Sequence, residues 1–257
     1  MPVRVMTVDE LVASLRRTTL PTVLVEGRDD MTVYRWIEDI LGAVQANILP
    51  CGGRDTLLRV HERRAEFSHL DHVFLADRDM WLFASVPQKH NGVVFTSGFS
   101  IENDLLDCPP VRNLLSNEEQ TEFNKLANEL SRWFAFEVEE YRAGRVYKVN
   151  VHPNWLVPLG MYCLQTAALA PRNFCEPNKR LVGSIRNRFG LKFRGKCLLQ
   201  LYTRILSAPA RTSKFSEANL LEIGTRCATS PHVLRLLRKI KNKMQKGDQR
   251  RTKKQVV

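Results

Sequence analysis

The spacing of apolar positions changes several times along this chain, and each change marks an element. Thr7 with Glu10 three residues later is a capping-box pattern ahead of Leu11, Val12 and Leu15, which predicts a short opening helix. Thr22–Val25 is a β-branched and apolar run ending in Glu26-Gly27. Val33, Trp36, Ile37, Ile40 and Leu41 follow it at helical spacing, closed by Gly42. Residues 46–49 predict a second strand, Cys51-Gly52-Gly53 a turn, and 55–67 a further helix. Residues 72–76 and 92–96 supply a third and a fourth strand, so strands alternate with helices as in an α/β domain with a parallel sheet, spanning 20–108.

Beyond Cys108-Pro109-Pro110 the strand signal nearly disappears. Helical patterns cover 117–141, 155–170, 181–189, 196–206, 216–226 and 231–244. The predicted organisation is an N-terminal helix in 1–19, the α/β domain in 20–108, a helical domain with a basic face in 109–245, and a mobile basic tail in 246–257 that lacks periodicity. Residues 153–171 run for nineteen residues without a charge. Asn154, Pro158, Gly160, Gln165 and Thr166 interrupt that stretch, so a buried helix is expected there in preference to a membrane span. The first ten residues hold no apolar run of the kind a secretory signal needs.

The chain has 257 residues, 44% apolar and 26% charged, enough for one large domain or two small ones, which excludes disordered, collagen-like and coiled-coil classes. Its 39 Lys and Arg against 27 Asp and Glu are unevenly placed. Residues 1–176 carry 18 basic and 24 acidic side chains, whereas 177–257 carry 21 basic and only three acidic ones, Glu217, Glu222 and Asp248. Such segregation suits a polyanionic partner. Cys51, Cys108, Cys163, Cys175, Cys197 and Cys227 show no paired spacing, so neither a zinc site nor a disulfide framework is signalled and a reducing cytoplasm is expected.

In an open parallel sheet, functional side chains collect beyond the carboxyl ends of the strands. Glu26 ends the first predicted strand, and Asp77 and Asp79 follow the third in Leu75-Ala76-Asp77-Arg78-Asp79. Asp30, four residues after Glu26, falls one helical turn on and on the same side. Glu102, in Ser100-Ile101-Glu102-Asn103-Asp104, opens the element after the fourth strand. Any one of these acids alone reads more simply as part of a solvated turn. Five carboxylates at one edge repel one another unless a cation neutralises them, and hard oxygen ligands select Mg²⁺ or Mn²⁺.

Thr22-Val23-Leu24-Val25-Glu26-Gly27-Arg28-Asp29-Asp30 followed by Phe74-Leu75-Ala76-Asp77-Arg78-Asp79 resembles the signature of the TOPRIM domain. The resemblance is to its OLD-like nucleases, in which a second carboxylate follows the first by four residues, here Asp30, and a Lys lies downstream on a helical segment, here Lys196. It implies a Rossmann-like, mostly parallel four-stranded sheet with flanking helices, followed by an all-helical C-terminal domain. The Ser100-Ile101-Glu102-Asn103 segment and the helical second half are similar to the stand-alone TOPRIM effectors that accompany an ABC-type ATPase in PARIS-type bacterial anti-phage systems.

The resemblance implies a metal-dependent endonuclease, a toxic effector sequestered by its ATPase partner and acting as a homodimer once released. Host RNA, tRNA first, is the expected substrate; DNA, which OLD relatives cut, is the alternative. Glu26, Asp77 and Asp79 would hold a first Mg²⁺ or Mn²⁺, with Glu26 also managing the proton of the nucleophile, and Asp30 and Glu102 would hold a second. Lys196 would contact the scissile phosphate. A nucleic-acid-binding role falls to Arg186, Arg188, Lys192, Arg194 and Lys196, in a stretch without an acid between Pro177 and Ser216. Phe189, Phe193 and Tyr202 are interleaved there, either as stacking platforms or, more simply, turned to the core. The basic tail would grip nucleic acid or dock an acidic partner.

Other classes fit less well. Gly190 to Lys196 satisfies G-x-x-x-x-G-K, but Cys197 stands where a P-loop has Ser or Thr, and the preceding segment reads as helix. The six His residues show no ligand spacing, and no G-x-S-x-G occurs. A non-catalytic binding subunit and a transferase using Asp77 and Asp79 to hold a metal-nucleotide remain open.

Overall fold

The computed structural model describes residues 5–27, 31–42, 46–227 and 230–255. In chain order the elements are α1 (Val8–Arg17), β1 (Thr22–Val25), α2 (Met31–Ile40), β2 (Asn47–Pro50), α3 (Arg54–Glu62), β3 (His72–Ala76), β4 (Val94–Phe95), α4 (Ile101–Leu106), α5 (Pro109–Arg112), α6 (Asn117–Arg142), α7 (Pro153–Leu156), α8 (Lys179–Arg186), α9 (Phe189–Lys192), α10 (Gly195–Leu206), α11 (Glu217–Cys227) and α12 (Pro231–Gln255). The fold is α/β. All four strands are parallel, in the order β2-β1-β3-β4.

Contacts divide the chain into two compact units, and neither is continuous in sequence. The first gathers Met1–Asp77, Val86–Thr96 and Val233–Val257; the second gathers Arg78–Ser85 and Ser97–His232. The boundaries drawn from sequence at 19, 108 and 245 are not these, because the chain leaves the sheet after Asp77 and returns to build β4.

In the first unit, Val23, Leu24 and Val25 are fully buried, as expected of a central strand covered on both faces. The predicted capping box closes α1: the Thr7 hydroxyl accepts the Glu10 N–H while Glu10 Oε2 accepts the Thr7 N–H at 2.8 Å. His61 on α3 is fully buried with its edge against Phe74, ring centroids 4.9 Å apart, and 6.0 Å from the ring of His90. A Cβ on Gly92 would come within 2.4 Å of His61 Nε2. The Gly92 carbonyl accepts the Lys243 ammonium, which ties α12 to this corner. Burial first, then the charges of Arg64, His90 and Lys243, push the His61 pKa from 6.5 down to about 4.

The second unit is built on α6, whose capping box at Ser116 and Glu119 opens 26 residues of helix. Leu126, Leu130, Trp133, Phe134 and Val138 on α6 are fully buried and share one core with Phe193, Leu198 and Leu201. The charge-free stretch does not form the long helix predicted over 155–170. It forms only the four-residue α7 and a 3-10 helix over Thr166–Arg172, since Pro158 and Gly160 break a continuous run. Among the described residues no helix is long and apolar enough to cross a membrane. Within the basic stretch expected as a tail, α12 continues to Gln255, in keeping with the high helix propensity of Lys, Arg and Gln.

Between pH 6.5 and about 4 the unfolded chain takes up a proton at His61 that the folded chain refuses, so stability falls as pH drops through that window. Urea unfolding of the native protein is expected to show this loss, and His61→Leu to show less of it. Gly92→Ala, which drives a methyl into His61, is expected to cost about 1–3 kcal/mol at neutral pH in the same assay.

Candidate functional site

Parallel pairing brings the carboxyl ends of β1 and β3 side by side, with Val25 opposite Leu75. The sheet order changes direction at β1 and β3, and ligands of open α/β sheets settle in the crevice outside the strand ends at such a switch point. Glu26 and Asp77 are the residues that leave the sheet there. Glu26 Oε1 accepts the Asp77 N–H at 2.9 Å, and the Glu26 carbonyl accepts the Gly53 N–H at 2.6 Å. Gly52 and Gly53 turn the chain with φ of 81° and 139°, backbone that glycine adopts without steric cost. That turn sets Arg54 at the start of α3, where Nη1 donates to the Asp77 carbonyl at 2.9 Å and lies 3.7 Å from Glu26 Oε1. Arg54 is absent from the sequence-based set. Its only sequence signal is a cation directly after the Gly-Gly turn that follows β2. Cys51 in the same turn is buried, and its thiol pKa is pushed up to about 12, mainly by burial, with the Glu26 carboxylate adding to it.

Asp79, Glu102 and Lys196 belong to the second unit. Asp79 holds φ of 48°, a left-handed conformation that Asp tolerates better than most residues, and its N–H donates to the Phe99 carbonyl at 2.7 Å. Ser100, Glu102, Asn103 and Asp104 are all buried. Asp104 accepts the N–H groups of Ser97 and Gly98 at 2.8 and 2.7 Å. Burial raises its pKa while these two bonds oppose the rise. Asn103 accepts the Ser100 N–H at 2.9 Å and donates to the carbonyls of Gly190 and Phe193 at 2.7 and 2.9 Å. One amide thereby fastens the start of α4 to the segment leading into α10. Neither Asn103 nor Asp104 is in the sequence-based set, because a buried role for a polar residue leaves no mark on apolar periodicity.

The backbone of Gly195 then passes so close to α4 that a Cβ there would lie 2.1 Å from Ser100 Oγ and 2.8 Å from Glu102 Oε2. Lys196, half-buried, follows it in the first turn of α10. Glu102 is 3% exposed, and its Oε2 has no hydrogen-bond partner among the described residues. A buried carboxylate oxygen left in this way is the kind of group a cation satisfies. Among the described residues, no three His, Cys, Asp or Glu side chains form a cluster that could hold a metal ion. Asp30 lies outside the described residues.

The other sequence candidates separate clearly. Arg186 and Arg188 are exposed, and Arg186 bonds Asn128 at 3.3 Å. Lys192 donates to Ser184 Oγ at 2.5 Å, and Arg194 reaches Cys197 Sγ at 3.7 Å. Phe189, Phe193 and Tyr202 are buried in the core, with Phe189 stacked on Phe193 at 4.5 Å, so they offer no surface for bases. Helices α8 and α9, not a strand, lead into α10 at the Gly190 to Lys196 segment, and the Cys197 thiol is buried against the Val151 carbonyl at 3.3 Å, which removes the P-loop reading. His232, scattered in sequence, pairs with Asp107 at 3.1 Å.

Gly195→Ala is expected to lower stability by about 1–3 kcal/mol in thermal unfolding, since the methyl meets three buried polar side chains. Gly183→Ala within α8, with nothing within 4 Å of the added Cβ, is expected to gain about 0.5–1 kcal/mol. No protein-family model matches this chain, and no curated protein matches it significantly.

Proposed function

We propose that this chain is a TOPRIM-type, OLD-like endonuclease that hydrolyses phosphodiester bonds, with RNA, and tRNA first, as its substrate. The observation that carries the reading is the pair of carboxylate residues leaving β1 and β3 at the switch point, joined by the 2.9 Å bond from the Asp77 N–H to Glu26, with Asp79 two residues on in a left-handed conformation. Within the second unit, the orphaned Glu102 oxygen supports a bound cation.

In this reading, as the resemblance implies, Glu26, Asp77 and Asp79 would hold one Mg²⁺ or Mn²⁺, and Asp30 and Glu102 a second. Bound there, the ions supply the charge that offsets negative charge on the phosphodiester oxygens. Glu26 takes the proton of the attacking nucleophile. Arg54, against both Glu26 and the Asp77 carbonyl, holds this corner and keeps a positive charge in it. Lys196, on a first helical turn packed against α4, contributes a point charge to the phosphate. Arg186 and Arg188, exposed on the second unit, attract the polyanion and make binding salt-dependent. An ABC-type ATPase that sequesters the chain, and a homodimer as the released form, complete the proposal.

The test is incubation of tRNA, bulk RNA and plasmid DNA with the purified protein in Mg²⁺, Mn²⁺ or EDTA, beside Glu26→Ala, with and without the ATPase partner. Metal-dependent cutting that falls by about 10²-fold or more in Glu26→Ala is the expected result, and the substrate that is cut decides between RNA and DNA. Cutting that persists in Glu26→Ala or in EDTA would sink the assignment.

A further inference from the structure

Several cations of the second unit are neutralised by an acid: Arg132 pairs with Glu176, Arg145 with Glu140, Arg172 with Glu137 and Arg211 with Glu119. Arg142, Arg188 and Lys192 are not. Among the described residues none of the three has an ion-pair partner, and two acids close to Arg142 in sequence are engaged elsewhere, Glu140 by Arg145 and Glu139 by the Asn178 N–H at 2.9 Å.

The three are also neighbours. Arg188 and Lys192 lie one helical turn apart, joined by the bond from the Lys192 N–H to the Arg188 carbonyl at 2.9 Å, which puts their side chains on one side of that turn. Lys192 Nζ donates to Ser184 Oγ at 2.5 Å on α8, which packs along α6, and Arg142 ends α6. Burial first, then the charges of Arg188 and Arg142, hold the Lys192 pKa below 10.5. An anion among the three would relieve that repulsion.

Their donors are held in place and left open. Arg142 uses Nε on the Phe83 carbonyl at 3.0 Å, which orients the guanidinium and leaves both Nη groups without a partner among the described residues. Arg188 is exposed, and its whole guanidinium is unpartnered in the same sense; Lys192 is half-buried with one donor used. Guanidinium forks and an ammonium match the several oxygens of a phosphate.

Position selects a nucleic-acid strand over an acidic protein. Phe83 closes the 3-10 turn that opens at Asp79, its N–H donating to the Met80 carbonyl at 3.0 Å. At the rise of about 2.0 Å per residue of such a helix, Asp79 and the residue gripped by Arg142 are roughly 8 Å apart along its axis. By a second route, the Asp79 N–H donates to the Phe99 carbonyl at 2.7 Å and the Phe99 N–H to the Leu191 carbonyl at 2.8 Å, and Lys192 is the next residue. Both routes stay within the second unit. A strand with one phosphate at Asp79 carries a neighbouring phosphate to these cations.

We propose that Arg142, Arg188 and Lys192 together bind one backbone phosphate of the nucleic-acid strand, flanking the phosphate that is cut. The proposal rests on the nuclease reading for where the strand lies, but the binding itself needs neither metal nor Glu26. Arg142 lies outside the acid-free basic stretch, and only the fold brings it to this subsite.

The test is binding of tRNA and of single-stranded DNA by the full chain in EDTA, followed by fluorescence anisotropy over a series of salt concentrations. Log affinity falls with log salt by a slope of about 0.7–0.9 for each phosphate neutralised. Arg142→Ala and Arg188→Ala are each expected to weaken binding about tenfold. The triple variant with Lys192→Ala is expected to flatten the slope by one phosphate's worth in total, because all three cations share that phosphate, with single losses that do not add. Arg226→Ala, which removes a cation already paired with Glu222, is expected to leave the slope unchanged. Unchanged circular dichroism shows an intact fold, and Arg188→Ala, exposed and without a partner to lose, gives an answer that leaves the Phe83 carbonyl bond in place.

A triple variant that binds like the parent overturns the proposal, and so does a slope that falls by two or three phosphates' worth or a chain that binds neither polymer. Poly-glutamate bound in place of both polymers, and lost in the triple variant, would overturn it in favour of an acidic protein partner. Binding with the expected slopes by a chain that cuts nothing would retire the nuclease and keep the subsite; metal-dependent cutting with an unaltered KM in the triple variant would do the reverse.

Discussion

Parallel pairing gives every strand of this sheet the same direction, so whatever follows each strand must emerge at the same edge. Val25 stands level with Pro50 on one side and Leu75 on the other. That register brings Glu26, the Gly52-Gly53 turn and Asp77 to adjacent strand ends, and the order β2-β1-β3-β4 opens a crevice beside β1 and β3. Shifting β3 by one residue against β1 would turn its side chains to the opposite face and break the bond between Glu26 and the Asp77 N–H.

The second unit meets a different constraint, the burial of polar groups. Asn103 and Asp104 sit where water cannot reach them, and each of their hydrogen bonds goes to backbone or side chain of a neighbouring segment. Such groups are costly unless fully paired, which makes them specific: the segment from Gly190 to Gly195 has one place to lie. Gly195 is small because Ser100, Glu102 and Asn103 occupy the space of its missing side chain. The first turn of α10, with Lys196, is therefore positioned by packing rather than by its own sequence.

The sequence by itself determined the elements whose signals are local. Thr7 and Glu10 specify the start of α1 through bonds within one turn. The apolar runs at Thr22–Val25 and His72–Ala76 are strands at those bounds, because a strand buried on both faces has no polar alternation to blur it. Glu26 and Asp77 were legible for the same reason, being the first acids after those runs. What depends on distant partners was not legible. Arg54 acquires its place only when the Gly52-Gly53 turn carries it to β3, and Asn103 only when Phe193 lies beside it. Phe189, Phe193 and Tyr202 have a periodicity that suits either core or surface, and tertiary packing sent them to the core. The charge-free stretch had the composition of a helix, yet Pro158 and Gly160 broke it into short helical pieces. Hydrophobicity says that a residue prefers to leave water, and only the assembled core decides against what.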